Sequence, residues 1–225
     1  GLGPTSLPLP VAHAEPEPMW DALYAAACRY AGELEVVTLG PLTSLATAIA
    51  KYPDLPQKIR RVSLMGGAAV GGNCTPSAEF NIYADPEAAQ LVFRSGCRLV
   101  MCGLDVTLHA YLTEEELDTI AASGDPGGVF LRDCSRDILK LNVAAGSGGW
   151  CVHDAVPVWH LVAPELFTER PAGVYVETQS AKTLGKTVTD LYSDFSFPEK
   201  NASVVLGLDR AEFVRRMTAI FGTGA

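Results

Sequence analysis

The segment from Met65 to Ala89 reads "MGGAAVGGNCTPSAEFNIYADPEAA" and places a polar, glycine-rich loop between two regular elements. Before it, "RRVSLM" ends at Met65 and resembles a short buried strand. After the polar loop, "DPEAAQLVFRSG" has helical spacing, with Asp85 as the predicted N-cap and Pro86 at the first helical position. The segment therefore predicts a strand, a polar loop and a helix, in that order.

The same alternation of helices and strands occurs on both sides of this segment. A helix is predicted over 19–30, a strand at "LEVVTL" from Leu34, a helix in "GPLTSLATAIAKYPDL" with Pro41 in its first turn, and a further strand in "CRLVMCGLDV". This order is typical of right-handed βαβ crossovers. The fold class predicted is α/β, with a doubly wound, mainly parallel sheet.

The C-terminal half has a different pattern of predicted helices and strands. "TEEELDTIAAS" begins with a capping box formed by Thr113 and Glu116, and residues 127–145 are predicted to be mostly helical. Three β segments, "AGVYVETQ", "GKTVTDL" and "ASVVLGL", then predict a small antiparallel β extension near the C-terminus, before a last helix capped by Asp209. We interpret residues 1–225 as a single domain.

Charge and composition narrow the class of partner. The chain has 225 residues and a formal net charge of −9, which argues against nucleic acid because a phosphate backbone requires a basic surface. The sequence contains no apolar run long enough to span a membrane and no signal peptide, so we expect a cytoplasmic protein without a membrane partner. Six scattered cysteines without metal-ligand spacing predict reduced thiols.

Polar residues that follow strands are the candidates for function, because ligands bind beyond the carboxyl ends of strands in an open α/β sheet. Thr38 and Met65 end two predicted strands. Asn73, Glu79 and Asn81 would suit a polyhydroxylated ligand, since amides and a carboxylate pair well with vicinal hydroxyls. They would equally serve to cap turns and satisfy loop backbone, and the sequence alone leaves both interpretations open.

"CVHDAV" is the second candidate. His153 is suited to general acid catalysis, and the oxygen atoms of Asp154 are suited to a hard cation such as Ca²⁺. The alternative is that Asp154 only caps the following helix and that His153 is a polar residue whose hydrogen bonds are satisfied within the structure. "GKT" at 185–187 lacks the rest of a phosphate-binding loop, so we do not expect it to bind phosphate.

Taken together, "TLGPLTSLA", "LMGGAAVGGNCTPSAEFNIYADPEAA", "GLDVT" and "HDAVPV", in this order, resemble the inosine/uridine-preferring nucleoside hydrolase family over nearly the whole chain. The resemblance implies calcium-assisted hydrolysis of ribonucleosides to free base and ribose, in purine or pyrimidine salvage. It also implies a small-molecule nucleoside substrate and a homodimer or homotetramer.

Residue roles follow from the same resemblance. It implies that Asn73, Glu79 and Asn81 clamp the ribose and that the backbone near Met65 lines the pocket. The backbone carbonyl of Thr38 and the carboxylate of Asp154 would bind Ca²⁺, Asp154 would also touch ribose, and His153 would protonate the departing base.

The sequence departs from the family pattern in two places. The family's aspartate cluster of D-x-D-x-x-x-D-D type, which supplies further calcium ligands and the base that activates water, does not occur here, so we expect the domain to lack its N-terminal portion. Ala155 stands where the family often has proline. A catalytically inactive ribose- or nucleoside-binding module is therefore the alternative to a hydrolase.

Overall fold

The computed structural model describes residues 5, 7, 10–192 and 199–222. Contacts between Cα atoms divide the chain into two compact units. The sheet unit comprises the described residues among 15–106 and 154–207, and the helical unit comprises those among 1–14, 107–153 and 208–225. A division by contacts does not test whether the chain folds as one domain, so the single-domain interpretation stays a prediction.

The sheet unit alternates helices and strands as the sequence predicts. Its elements are α1 (Met19–Arg29), β1 (Leu34–Thr38), α2 (Thr43–Lys51), α3 (Leu55–Lys58), β2 (Ile59–Met65), α4 (Phe80–Ala84), α5 (Pro86–Phe93), β3 (Leu99–Cys102), α6 (Leu104–Thr107), α7 (Ala155–Val162), a 3₁₀ turn (Pro164–Leu166), β4 (Phe167–Val176), β5 (Thr187–Asp190) and β6 (Ala202–Leu208).

The strands of this unit form one sheet in the order β1-β2-β3-β6-β4-β5. The pairs β1–β2, β2–β3 and β3–β6 are parallel, whereas β4 and β5 are antiparallel. This confirms the α/β class, the mainly parallel sheet and the antiparallel extension. The register places Thr38 opposite Leu64 and Met65 opposite Cys102, so the first three strands end at one edge of the sheet.

Two details of the sequence-based assignment are wrong. "ASVVLGL" was expected in the antiparallel extension, but as β6 it pairs in parallel with β3, and Val204 and Val205 are fully buried. A strand covered on both faces is typical of a parallel sheet, and short apolar runs do not reveal which neighbour they choose. Pro41 lies before α2 rather than in its first turn, because Leu42 accepts the first helical hydrogen bond, from Ala46 N–H.

Apolar side chains on one face of the sheet build the main core. They come from β2 and β3 and from the helices that cover them: Leu45, Ile49, Val62, Leu64, Val92, Phe93, Leu99 and Met101. The predicted N-cap of α5 is confirmed, since the Asp85 side chain accepts the Ala88 N–H. This cap fixes where the helix begins after the polar loop.

The helical unit contains α8 (Glu114–Ala122), α9 (Pro126–Ala144) and α10 (Arg210–Gly222), with a short antiparallel pair of strands, β7 (Tyr111–Leu112) and β8 (Trp150–Cys151). The predicted capping box of Thr113 and Glu116 is present. Asp209 accepts the Glu212 N–H, as expected of the last cap.

The glycines before Trp150 serve close packing. A Cβ at Gly149 would lie 2.2 Å from the carbonyl oxygen of Leu112, and one at Gly148 would lie 2.6 Å from the ring of Tyr111. These glycines therefore allow β8 to approach β7.

All six cysteines are free thiols, as predicted. Among the described residues, no helix has both the length and the apolar character needed to cross a bilayer.

Candidate active site

The edge where β1, β2 and β3 end carries the first group of candidate residues. Thr38 closes β1, and its Oγ1 is buried without a hydrogen-bond partner among the described residues. A buried hydroxyl without a partner is uncommon and calls for an explanation such as a bound ion, ligand or water. Met65 closes β2 and is 4% exposed.

Glu79 lies at the centre of the site. Its side chain is 2% exposed and forms the N-cap of α4. Oε1 accepts the Asn81 N–H at 3.0 Å, and Oε2 accepts the Ile82 N–H at 3.3 Å and the Gly67 N–H at 2.9 Å. Burial is the largest influence on this carboxyl and raises its pKa, while the three backbone N–H groups act in the opposite direction. The carboxylate is therefore both desolvated and fixed in orientation.

Asn81 is tied to the end of β2. It is 8% exposed, and its Nδ2 donates to the carbonyl oxygen of Met65 at 3.1 Å and lies 3.2 Å from the Met65 Sδ. Since this contact uses Nδ2, the side-chain oxygen is directed elsewhere. The backbone of Met65 thus orients Asn81, and the two residues and Glu79 belong to one cluster.

Asn73 occupies the exposed part of the same loop. Its Oδ1 accepts the Phe80 N–H at 2.9 Å, next to Glu79, and its own N–H donates to the Ala78 carbonyl. The structure therefore bears out a loop-capping role for the oxygen of Asn73, one of the two interpretations left open by the sequence. The bond to Phe80 does not use Nδ2.

Asp154 immediately precedes α7, but its side chain accepts no capping hydrogen bond from the start of that helix. The capping interpretation of Asp154 is therefore wrong. The negative charge of Asp154 contributes to the raised pKa of Glu79, which shows that the two carboxylates act on each other electrostatically. Two carboxylates in a partly buried site favour a cation or a positively charged transition state between or beside them.

His153 and Thr107, the last residue of α6, both belong to the helical unit. The Nδ1 of His153 lies 2.8 Å from the Oγ1 of Thr107, a side chain that is fully buried. A hydrogen bond at one ring nitrogen fixes the orientation of the ring. Thr107 was not among the residues that the sequence singled out.

The structure also adds residues from a distant part of the sequence. Lys186 and Thr187 lie at the start of β5 and bind the loop of residues 66–72, which we call the site loop. The interpretation that "GKT" is not a phosphate-binding loop agrees with this, because it leads into a strand rather than a helix. In the sequence, the only signal for Lys186 and Thr187 is the motif "GKT", in which both follow a glycine.

The described residues offer oxygen ligands of the type that Ca²⁺ prefers, but too few of them to complete a site. Ca²⁺ takes six to eight oxygen ligands, and the two residues implied by the resemblance, Thr38 and Asp154, offer oxygen atoms of the right type. The hydroxyl of Thr38 without a partner agrees with a polar group bound nearby. However, no cluster of three or more His, Cys, Asp or Glu residues in the described part of the chain could hold a metal ion. These residues alone do not complete a calcium site.

The sequence of this chain is similar to those of known nucleoside hydrolases. A family model described as inosine-uridine preferring nucleoside hydrolase matches residues 1–215. Over 185 residues the chain is 43% identical to the pyrimidine-specific ribonucleoside hydrolase RihA of Shewanella baltica, covering 80% of this chain and 57% of that protein. It is 43% identical over 195 residues to the non-specific ribonucleoside hydrolase RihC of Escherichia coli, covering 86% and 62%.

A solved structure is also similar. The purine-preferring ribonucleoside hydrolase from Gardnerella vaginalis superposes with a TM-score of 0.88 at 32% identity, covering 99% of this chain and 72% of that one. The match to RihA of Shewanella baltica means that the chain spans 57% of the length of that relative.

Proposed function

The chain belongs to the inosine-uridine preferring nucleoside hydrolase family, and from this membership we propose that it provides the ribose-binding part of an enzyme that hydrolyses the N-glycosidic bond of ribonucleosides. The observation that carries the proposal is the Glu79 carboxylate, buried and held by three backbone N–H groups beside Asn81. The substrate is a small nucleoside, and the products are the free base and ribose.

Glu79, Asn81 and Asn73 form the proposed ribose clamp. An ionised carboxylate accepts hydrogen bonds from two neighbouring hydroxyl groups, and an amide both donates and accepts. Backbone N–H donors favour the ionised form of Glu79 against the effect of burial. The carboxylate is oriented before the substrate arrives, so less ordering is needed on binding.

The second requirement is to assist departure of the base. Glycosidic cleavage passes through an oxocarbenium-like sugar, whose positive charge is stabilised by nearby carboxylates such as Glu79 and Asp154. The base leaves more readily when it receives a proton, and His153 is the proposed donor. Thr107 would hold the imidazole in a fixed orientation for this proton transfer.

We propose Ca²⁺ as the cofactor, with the Thr38 carbonyl and the Asp154 carboxylate as two of its ligands. The remaining oxygen ligands must come from other groups. A bound Ca²⁺ would supply Lewis acidity toward sugar hydroxyls and water. Calorimetric titration with Ca²⁺ tests this: Asp154→Asn should weaken binding, whereas Asp137→Asn, on the exposed face of α9, should not. Equal affinities would contradict the ligand assignment.

The deciding experiment measures release of base from inosine, uridine and 2′-deoxyuridine by the chain joined to a segment that carries the water-activating aspartate cluster. We expect the two ribonucleosides to be hydrolysed, and Glu79→Gln to lower kcat/KM by about 100-fold or more, because the new amide would present N–H groups to backbone N–H donors and to the ribose. Glu87→Gln is the matched control, since Glu87 is exposed in the first turn of α5. Unchanged activity of Glu79→Gln would refute the clamp.

The same experiment addresses the alternative function. A catalytically inactive ribose- or nucleoside-binding module would bind uridine, detected by calorimetry, without releasing uracil, and Glu79→Gln would weaken that binding. The expectation of a homodimer or homotetramer stays a prediction, which sedimentation velocity measures.

A further inference from the structure

The site loop is held in place by three side chains from outside it. Thr187 Oγ1 accepts the Ala68 N–H at 2.9 Å and donates to the Ala68 carbonyl at 2.7 Å. Lys186 Nζ donates to the carbonyl oxygens of Ala68, Ala69 and Gly71 at 2.8, 3.0 and 3.4 Å. Lys186 and Thr187 therefore bind backbone N–H and carbonyl groups at the centre of the site loop.

Asp105 completes this arrangement from the other side. Its Oδ2 accepts the Ala69 N–H at 2.7 Å, and its Oδ1 accepts the Val70 N–H at 3.1 Å. Burial lowers the pKa of Lys186, and the charge of Asp105 counteracts this effect. Lys186 therefore binds the carbonyl groups of Ala68 and Ala69, and Asp105 binds the N–H groups at the other end of the same two peptide bonds.

The loop leads directly to the proposed clamp. Gly67, whose N–H donates to Glu79 Oε2 at 2.9 Å, immediately precedes Ala68. On the other side of the clamp, Gly185 packs so closely on α4 that a Cβ there would lie 2.8 Å from the Cα of Tyr83. The chain around the start of β5 therefore contacts both backbone segments that orient the Glu79 carboxylate.

Lys186 has no donor left for a substrate. An ammonium group carries three N–H donors, and three loop carbonyls lie within hydrogen-bonding distance of this one. Thr187 is 1% exposed, and its hydroxyl both donates and accepts within the loop. These geometries exclude direct contact with substrate through the same donors and favour an indirect role.

A glycine-rich loop needs such anchors. Glycine loses more conformational freedom on ordering than any other residue, and Gly67 and Gly71 both adopt positive φ. Without bonds from outside, the Gly67 N–H would not stay directed at Glu79. The anchors supply an order that the local sequence does not.

We propose that Lys186 and Thr187 are positioning residues for the ribose clamp, which hold the site loop so that Gly67 keeps the Glu79 carboxylate in its binding orientation. The inference rests on the proposed function of Glu79. It goes beyond that function by assigning a role to Lys186 and Thr187, whose side chains form hydrogen bonds to the backbone of the site loop.

The test uses Thr187→Val, Thr187→Ser and Lys186→Met in the protein. Valine has nearly the shape of threonine but leaves the Ala68 N–H and carbonyl without a partner, whereas serine keeps the hydroxyl. Leaving a buried N–H unpaired costs enough to change binding by about 10- to 100-fold. The matched controls are Thr183→Val and Lys182→Met, which change an exposed threonine and an exposed lysine before β5.

We expect Thr187→Val and Lys186→Met to raise KM for uridine by roughly 10-fold or more with kcat within about 3-fold, since a displaced clamp weakens ribose binding. Thr187→Ser and both controls should stay within about 3-fold of the wild type in both constants. Loss of kcat at unchanged KM would overturn the proposal, because it would indicate only a smaller population of folded protein.

Amide hydrogen exchange supplies a measurement that does not depend on activity. Thr187→Val should accelerate exchange at Gly67 and Ala68 by about 10-fold or more beyond any acceleration at the core strands. Uniform acceleration across the sheet unit, or none at these two amides, would overturn the positioning role. If the wild type releases no base, the proposed function fails, and the exchange result still decides whether Thr187 fixes the loop.

Discussion

Alanine substitution at two glycines of the site loop tests how closely β5 packs against the loop, because a tight contact lowers the free energy of unfolding. Gly67 and Gly71 have similar positive φ angles, 77° and 70°. A Cβ at Gly67 would lie 2.9 Å from Thr187 Cγ2 and 3.1 Å from Met101 Sδ, whereas one at Gly71 would meet nothing within 4 Å. The left-handed conformation costs alanine about 1–2 kcal/mol at both positions. Overpacking adds roughly 1–3 kcal/mol at Gly67 only.

We therefore expect Gly67→Ala to lower the free energy of unfolding by about 2–5 kcal/mol and Gly71→Ala by about 1–2 kcal/mol. Urea unfolding followed by circular dichroism measures both, with equal m-values as the condition for comparing them. The double variant Gly67→Ala/Thr187→Ser removes the Cγ2 methyl group that the new Cβ would meet, so it should recover about 1 kcal/mol or more relative to additive costs. Equal costs for the two glycine substitutions would refute a tight contact between the loop and β5.

Three further outcomes follow from individual contacts. Asp85→Ala removes the bond to the Ala88 N–H and should lower the free energy of unfolding by about 0.5–2 kcal/mol, read from the urea midpoint; no change would contradict the cap. Thr107→Val should lower kcat for inosine roughly 10-fold or more at similar KM, because the ring of His153 loses its orienting partner; unchanged kcat would argue against His153 as the acid. Burial lowers the pKa of His160 below its ordinary value of 6.5, so only the unfolded chain takes up the proton just below that pH, and stability should fall as the pH drops below 6.5. Thermal unfolding of His160→Leu should show a weaker decline over that range, and an equal decline would assign it to other groups.

Local signals in the sequence predicted local structure. The cap at Asp85 and the capping box of Thr113 and Glu116 depend on residues three positions apart, and the structure contains both. The alternation of helices and strands likewise predicted the parallel sheet. By contrast, "ASVVLGL" was placed in the wrong part of the sheet because strand pairing is decided by neighbours far away in the sequence.

The site was predictable to the extent that its residues lie in one segment. Met65, Glu79 and Asn81 were singled out, and the structure brings them into one hydrogen-bonded cluster. The contribution of the backbone could not be predicted, since the Gly67 N–H acts on Glu79 only after the loop has folded. Lys186 and Thr187 were missed because nothing in a short window shows which loop a distant side chain will reach.

The long sequence separation between the site loop and its anchors has a consequence for how the protein folds. Ala68 is bound by Thr187 across 119 positions and by Lys186 across 118. Contacts this distant form slowly, because the intervening chain must be ordered before they contribute. During synthesis from the N-terminus, the Glu79 loop is complete long before residues 186–187 exist. A nascent chain would therefore have β1, β2, β3 and the cap at Asp85 before Lys186 and Thr187 could anchor the site loop, and the proposed ribose binding would be acquired late in the maturation of the chain.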